Sequence, residues 1–115
     1  DFIHYFVRLR TANDIPIAIS YAYISAKAVP AIDITALEGS FKQYLESINF
    51  KPNVSSYHIM TACLPNDEQK QLLNVGNVAL LKNTHITFTE NKVPYEYIQT
   101  FYLCDRYKYT FTRNY

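Results

Sequence analysis

The chain has 115 residues, of which 49% are hydrophobic and 18% are charged, and its formal net charge is +1 at pH 7. This length predicts one domain, and the composition is that of a globular protein rather than a disordered one. The near-neutral charge argues against a nucleic-acid-binding surface and against a polybasic membrane anchor.

A first hairpin is predicted at the beginning of the chain. Residues 2–12 alternate and are rich in β-branched and aromatic side chains, which is typical of a strand. Asn13 and Asp14 form a turn signal, and residues 15–24 then return as the second strand. The segment 25–37 is expected to be irregular or to form a short helical turn.

Two helices are predicted in the middle of the chain, on either side of a strand. The first spans residues 40–48, with Ser40 as its N-cap and its apolar side chains on one face. A strand follows at residues 53–63. The second helix spans residues 65–75, with a Pro-Asn pair at its start, acidic residues in its first turn and a glycine after its end.

A second hairpin and a final strand are predicted in the last third of the chain. Residues 78–89 and 93–104 have the pattern of strands joined by a turn at residues 90–92. Residues 106–113 alternate cleanly and are predicted to form the last strand. About six strands and two helices in this order predict an α+β fold with a mostly antiparallel sheet.

A short phrase occurs twice in the chain, once in each predicted hairpin. Segments 11–16 and 89–94 share Thr, Asn, a β-branched residue and Pro in the same register. Each copy follows an alternating run and precedes a tyrosine-rich one. The repeat predicts a pair of similar hairpins, with some of their side chains facing a shared pocket.

Two arginines on the first predicted strand could bind an anion. Arg8 and Arg10 are two residues apart, so their side chains share a face. Neighbouring guanidinium groups repel each other unless an anion or carboxylates lie between them, and their forked shape suits phosphate and carboxylate. Two interpretations remain open, an anion site or a solvated face with salt bridges to Asp or Glu.

Three further residues are candidates for the same site. Glu96 stands between two tyrosines and shares its strand face with Tyr102. A carboxylate among aromatic rings needs partners, so Glu96 either accepts hydrogen bonds from a ligand's hydroxyls or amine, or pairs with an arginine. Tyr102 offers a ring and a hydroxyl, or belongs to the core. Ser40 is a helix cap or, because a helix N-terminus attracts anions, part of a phosphate pocket with the arginines.

The sequence carries no sign of catalysis or of a metal site. It has no nucleophile motif, P-loop or GxGxxG loop, and its three histidines lack metal-ligand spacing. Cys63 and Cys104 have no CxxC spacing and are expected to be reduced, buried thiols, with a disulfide as the alternative. Asp105 and Arg106 are predicted to form an ion pair or a turn lock.

The chain also indicates where it works. It has no run of 18 apolar residues and no visible signal peptide, which predicts a cytoplasmic protein without a membrane partner. It begins with Asp1 rather than Met, so we expect it to be a domain of a longer protein.

Five segments together resemble a known family. RLRTANDIPIAIS, LEGSFKQYLE, LLNVGNVALL, ENKVPYEY and DRYKYTF occur in the order and spacing of the UTRA domain. That domain is the C-terminal effector-binding domain of GntR-type bacterial transcription regulators of the HutC branch. The resemblance covers about residues 3–112.

The resemblance implies a chorismate-lyase-like fold, in which helices pack on a mostly antiparallel sheet with a ligand pocket. It implies that residues 1–115 form the ligand-binding and dimerisation domain, and that an N-terminal winged helix-turn-helix domain, absent from this chain, binds operator DNA. It also implies a homodimeric regulator rather than an enzyme, without a cofactor, whose DNA affinity changes when a small effector binds.

The family's site residues carry over position by position. In members that sense sugar phosphates, two arginines of an RxR strand hold the phosphate, and Arg8 and Arg10 match them. The serine of the family's GS pair, here Ser40, helps to hold the phosphate. The glutamate of the PxEY motif, here Glu96, binds sugar hydroxyls, and a tyrosine six residues later, here Tyr102, closes the pocket. The resemblance therefore favours a small anionic effector of the phosphorylated sugar type.

The chain departs from the family pattern at several positions. Ser20 stands where relatives often have a glutamate, Lys42 where they often have a tyrosine, and Leu103-Cys104 where they often have Arg-Gly. The loss of one acidic contact weakens the case for an amino sugar, and Lys42 either adds positive charge near an anion or faces solvent. The alternatives are a lyase-type enzyme on the same fold that acts on a small carboxylate, and a dimerisation module with a degenerate pocket.

Overall fold

The computed structural model describes residues 2–29, 43, 55–89 and 91–114, and within them it shows one antiparallel sheet and one helix. The elements in chain order are β1 (Ile3–Ala12), β2 (Ile15–Ser25), β3 (Ser55–Cys63), α1 (Asp67–Leu73), β4 (Leu80–Phe88) and β5 (Pro94–Leu103). The strands lie in the order β1-β2-β5-β4-β3, and each neighbouring pair is antiparallel. The expected mostly antiparallel sheet is confirmed, and among the described residues it has five strands rather than six.

Both predicted hairpins are present, and they lie side by side. In the first, Asn13 and Asp14 have φ values of 51° and 64°, the left-handed pair that a tight I′ turn between twisted strands requires. In the second, Lys92 has a φ of 62°, and its N–H donates to the carbonyl of Thr89. Because β2 pairs with β5, the strands that follow the repeated phrase are neighbours in the sheet.

Helix α1 begins at a side-chain capping box and ends at a residue in the left-handed conformation. The Asn66 side chain accepts from the N–H of Gln69, and the Gln69 side chain accepts from the N–H of Asn66, which together form a capping box. Asn74, in the left-handed conformation, ends the helix two residues before the predicted glycine. The helix packs on one side of the sheet, where Ile19, Leu73, Leu80, Phe101 and Leu103 form the core.

The prediction of a strand at residues 106–113 is wrong. These residues lie outside any strand ladder, although their side chains alternate. The strand that precedes them, β5, is already paired with β2 on one side and β4 on the other, so the chain cannot fold back onto it. The Arg106 side chain instead donates to the carbonyl of Pro16 at 2.9 Å, and its N–H donates to the carbonyl of Leu103.

The remaining predictions concern the first helix, the cysteines and membrane-spanning segments. The predicted helix at residues 40–48 lies outside the described residues, with the exception of Gln43. Cys63 and Cys104 are free thiols, as expected, but neither is fully buried: Cys63 is partly buried and Cys104 is exposed. The residues that the structure describes include no helix that is long and apolar enough to cross a membrane.

Candidate functional site

Four of the five predicted site residues lie on one side of the sheet. Residues directly opposite each other in neighbouring strands carry side chains on the same side. Arg8 on β1 is opposite Ser20 on β2, which is opposite Thr100 on β5. Two residues further along each strand, Arg10, Ala18 and Tyr102 form a second row across the same three strands. Glu96 is four residues from Thr100 and so shares that side. We call this side, which is opposite α1, the polar face; it carries Arg8, Arg10, Ser20, Asn83, His85, Thr87, Glu96, Thr100 and Tyr102.

The basic end of the polar face is formed by β1. Arg8 is half-buried and Arg10 is exposed. Burial, followed by the neighbouring charge of Arg10, lowers the pKa of the Arg8 guanidinium. The register shift in β1 falls after Arg10, so both arginines remain on the polar face as predicted. A bound anion would oppose both effects, because its negative charge stabilises the charged guanidinium.

Tyr102 connects the basic end to the segment that follows β5. Its ring stacks on Tyr107, with centroids 3.9 Å apart and planes 19° apart. Its hydroxyl also lies near Tyr107 and Arg10, which both influence its pKa. Burial and then Tyr107 raise the pKa of the Tyr102 hydroxyl, while Arg10 opposes the shift. One ring face of Tyr102 is therefore already covered from within the chain.

A pair of hydroxyl groups lies beside Arg8. Ser20 Oγ and Thr100 Oγ1 are 3.0 Å apart, and the Thr100 residue is only 5% exposed. Such a pair has two O–H hydrogens, and the bond between its members uses one of them. The second hydrogen can be donated to an acceptor on a ligand. At Ser20 the polar face is thus neutral.

The acidic end of the polar face is built where β4 meets β5. The Glu96 side chain is 11% exposed. Its Oε1 accepts a hydrogen bond from Thr87 Oγ1 at 2.9 Å and another from His85 Nε2 at 3.3 Å. Among the described residues, the hydrogen-bond partners of Glu96 are thus Thr87 and His85 on the neighbouring strand, and no arginine.

A second histidine supports the first. The rings of His58 and His85 stack with centroids 5.1 Å apart and planes 29° apart. His58 Nε2 lies 3.0 Å from Ser56 Oγ, and its Nδ1 lies 3.4 Å from Asn83 Oδ1. His85 Nδ1 is enclosed and has no hydrogen-bond partner. Among the described residues, no group of three or more His, Cys, Asp or Glu side chains could hold a metal ion.

The sequence analysis missed His85 and Thr87 as site residues. Both lie on β4, where they reach Glu96 only through the pairing of β4 with β5. Counting outward from the hairpin turn does not find this pair, because Phe88 lies opposite Pro94 and Thr87 would then face Tyr95. A register shift between Thr87 and Phe88 brings Thr87 opposite Glu96 instead. Ser40, the fifth predicted residue, lies outside the described residues. Of the two alternatives for Asp105 and Arg106, the turn lock matches the described residues: Arg106 lies in a turn, its N–H donates to the carbonyl of Leu103 and its side chain donates to the carbonyl of Pro16.

Comparison with known proteins adds the evolutionary context. The sequence profile of the UTRA domain family matches residues 1–108. The HTH-type transcriptional repressor NagR of Bacillus subtilis (strain 168) is 26% identical over 110 residues, which cover 93% of this chain and 44% of NagR. The chain thus spans less than half the length of that relative.

Solved structures agree in fold. A GntR-family transcriptional regulator from Enterococcus faecalis V583 is 26% identical with a TM-score of 0.85, over 96% of this chain and 81% of that one. YydK from Bacillus subtilis has a TM-score of 0.89 at 19% identity, over 98% of this chain and 51% of its own. The effector binding domain of the Bacillus subtilis trehalose repressor TreR has a TM-score of 0.85 at 19% identity, over 97% and 78%. At 19% identity, the last two show a shared fold alone.

Proposed function

The chain belongs to the UTRA domain family, and from this membership we propose that it is the effector-sensing domain of a bacterial transcription regulator. The proposed effector is a small anionic metabolite, most simply a phosphorylated sugar. The observation that carries this proposal is the polar face itself, with two arginines at one end and a nearly buried carboxylate at the other.

The basic end is suited to a phosphate group. Arg8 and Arg10 lie side by side, and burial together with the charge of Arg10 lowers the pKa of the Arg8 guanidinium, an effect that a bound anion would oppose. A phosphate oxygen can accept from both guanidinium groups and from the spare hydroxyl hydrogen of the Ser20–Thr100 pair. We assign anion binding to these arginines and to Ser40.

The two ends are separated by about the length of a small metabolite. Thr100, which lies in the same row as Arg8, is two strands away from it, and Glu96 is four residues from Thr100 along β5. These two displacements give about 16 Å between the Cα atoms of Arg8 and Glu96. The arginine and glutamate side chains extend over part of that distance and leave room for a sugar-sized molecule. In this arrangement Glu96 accepts from the effector's hydroxyls, and Tyr102 orients it next to Arg10.

The signal would pass to a DNA-binding domain outside this chain. NagR is an HTH-type repressor, and the chain matches 44% of its length, which is consistent with a separate N-terminal winged helix-turn-helix domain. We propose that the protein acts in the cytoplasm as a homodimer and not as an enzyme, and that the effector changes the balance between dimers that bind DNA and dimers that do not. Tyr5, Tyr23 and Tyr97, exposed on the α1 side of the sheet, offer an apolar surface for such a dimer.

A thermal-shift panel tests the sensor proposal. The panel contains glucose 6-phosphate, other phosphorylated sugars, phosphonates, urocanate and inorganic phosphate. A ligand at 100 times its Kd adds about 2.7 kcal/mol to the free energy of unfolding, which is a shift of several degrees. Arg8→Ala should weaken binding of a phosphorylated hit by about 1.5–3 kcal/mol, the scale of a hydrogen bond to a charged group.

The control is Lys70→Ala, which removes the same charge from α1 on the other side of the sheet. It should leave binding unchanged. Hits that are confined to non-phosphorylated acids would replace the phosphate with a carboxylate. An Arg8→Ala protein that loses thermal stability but keeps its affinity would show that the arginine is structural and would reject the anion site.

A further inference from the structure

The Glu96 carboxylate is held from one side only. Its Oε1 accepts from both Thr87 and His85, which are two residues apart on β4. A carboxylate has two oxygens, each able to accept. Within the described part of the chain, Oε2 has no hydrogen-bond partner, although 89% of the side chain is covered. The two donors thus fix the orientation of the carboxylate and leave its second oxygen without a partner among the described residues.

We propose that His85 and Thr87 are positioning residues that hold Glu96 Oε2 towards the effector, so that the acidic end takes a hydrogen-bond donor and rejects a second anionic group. The donor is a hydroxyl or ammonium group of the ligand. This inference rests on the proposed function, because it concerns the end of the effector that is remote from the arginines. It assigns a task to two residues that themselves do not touch the ligand.

The donor direction follows from chemistry. An ionised carboxylate only accepts, so the Thr87 hydroxyl and the Nε2–H of His85 must donate to it. A neutral His85 ring with a proton on Nε2 has a bare nitrogen at Nδ1, which is the atom that the structure leaves enclosed without a partner. The arrangement therefore requires a proton on Nε2, and in the neutral ring this is one of the two tautomers.

The ring of His85 is kept in its plane by a neighbour. His58 stacks on it, and His58 is in turn bonded to Ser56 and Asn83. His58 on β3 thus holds the ring of His85 on β4, and His85 in turn holds the carboxylate of Glu96 on β5. A ring that could rotate freely would not select one oxygen of the carboxylate.

The same arrangement sets the class of effector. An anion at the arginines and a donor at Glu96 describe a molecule with a phosphate at one end and hydroxyl or amino groups at the other. A molecule with phosphates at both ends places a negative group against the carboxylate, which is repulsive in a site with little water. The acidic end is therefore a specificity element, and its effect appears as a ratio of affinities.

The experiment compares three probes by isothermal titration: inorganic phosphate, glucose 6-phosphate and glucose 1,6-bisphosphate. The wild-type protein should bind glucose 6-phosphate more tightly than either of the other two. Thr87→Val keeps the shape of the side chain but removes its donor, and should reduce the preference for glucose 6-phosphate over inorganic phosphate by about five- to tenfold. Thr87→Ser keeps the donor and should restore the preference. Thr84→Val, the same change on the opposite side of β4, should have no effect.

The outcomes separate this inference from the proposed function. Equal loss of affinity for inorganic phosphate and glucose 6-phosphate in Thr87→Val would show a general structural role and would overturn the inference. A wild-type protein that binds inorganic phosphate but has no preference for glucose 6-phosphate would overturn it while leaving the anion site intact. Failure of all three probes would instead count against the proposed function, and with it the effector class assigned to the acidic end.

A second measurement tests the positioning network without any ligand. Nitrogen-15 NMR of the His85 ring distinguishes a protonated Nε2 from a protonated Nδ1. The neutral ring should carry its proton on Nε2 in the wild-type protein, and Glu96→Leu, which removes the acceptor, should allow the other tautomer. A proton on Nδ1 in the wild-type protein would refute the positioning role whatever the binding data show.

Discussion

The hydrogen bond between Ser20 and Thr100 makes a quantitative prediction about the sheet at the centre of the site. The two residues are 80 positions apart in the chain and lie opposite each other on β2 and β5. Thr100 is 5% exposed, so its hydroxyl has little access to water. We therefore expect Ser20→Ala and Thr100→Val to remove one shared interaction rather than two separate ones.

The expected magnitude follows from the geometry. At 3.0 Å between two neutral hydroxyls, the bond contributes about 1 kcal/mol net. Thr100→Val preserves the side-chain shape and leaves no cavity, so it should cost about 1 kcal/mol, and Ser20→Ala should cost about the same. Each removes the same bond, so the double variant should also cost about 1 kcal/mol rather than 2. For a domain of this size, 1 kcal/mol corresponds to a shift of about 4 °C in Tm.

Urea unfolding of the wild type, both single variants and the double variant gives the coupling energy directly. The control cycle pairs Ser20→Ala with Thr84→Val, whose side chains lie on opposite sides of the sheet and should show additive costs. Additive costs in the Ser20–Thr100 cycle would mean that the two hydroxyls do not meet. The register that places Arg8 beside this pair would then be wrong.

Two further predictions concern the packing of α1 in the core and the titration of Tyr95. Leu73 has no exposed surface, so Leu73→Ala should lower the free energy of urea unfolding by about 2–5 kcal/mol. Leu72 lies on the same helix but is 40% exposed, so Leu72→Ala should cost well under half of that. Similar costs for the two variants would contradict the position of α1. Burial, and then the charge of Glu96, raise the pKa of the Tyr95 hydroxyl from 10 to about 12, so the folded state holds this proton more tightly than the unfolded state does. The stabilisation that Tyr95 contributes is therefore present below pH 10 and is lost as the pH rises towards 12. The free energy of unfolding measured between pH 9 and 12 should therefore fall less steeply in Tyr95→Phe, and an unchanged slope would show that Tyr95 is not the group responsible.

The positions of the two arginines followed from the sequence of one strand, whereas the position of the acidic end depended on how the strands pair. Arg8 and Arg10 needed only the alternation of one strand, because side chains two residues apart share a face wherever the strand goes. The same rule placed Glu96 and Tyr102 on one face of β5. That all four point to the same side of the sheet depends on the pairing of β1 with β2 and of β2 with β5, which alternation within a strand does not specify.

The histidines illustrate what a linear reading of the chain overlooks. His58 and His85 are 27 positions apart, and neither belongs to a metal or catalytic motif. Their stacking arises because β3 and β4 pair with these two residues directly opposite each other. The link from His85 to Glu96 then requires the register of a second strand pair, including a shift near its hairpin turn. Each additional pairing multiplies the number of arrangements that the sequence alone permits.

The sequence by itself determined the elements whose causes are local. Left-handed turn residues defined the hairpins, and the capping box of Asn66 and Gln69 defined the start of α1, because these bonds form between residues a few positions apart. The tertiary structure alone decided which alternating segments became strands. Residues 106–113 have the pattern of a strand but lie outside any ladder, because the backbone N–H and C=O groups of a strand need a neighbouring strand and both neighbours of β5 are already in place. The same strand order brings Glu96 against His85 and Thr87, and so creates the acidic end of the site from residues that are unremarkable in sequence.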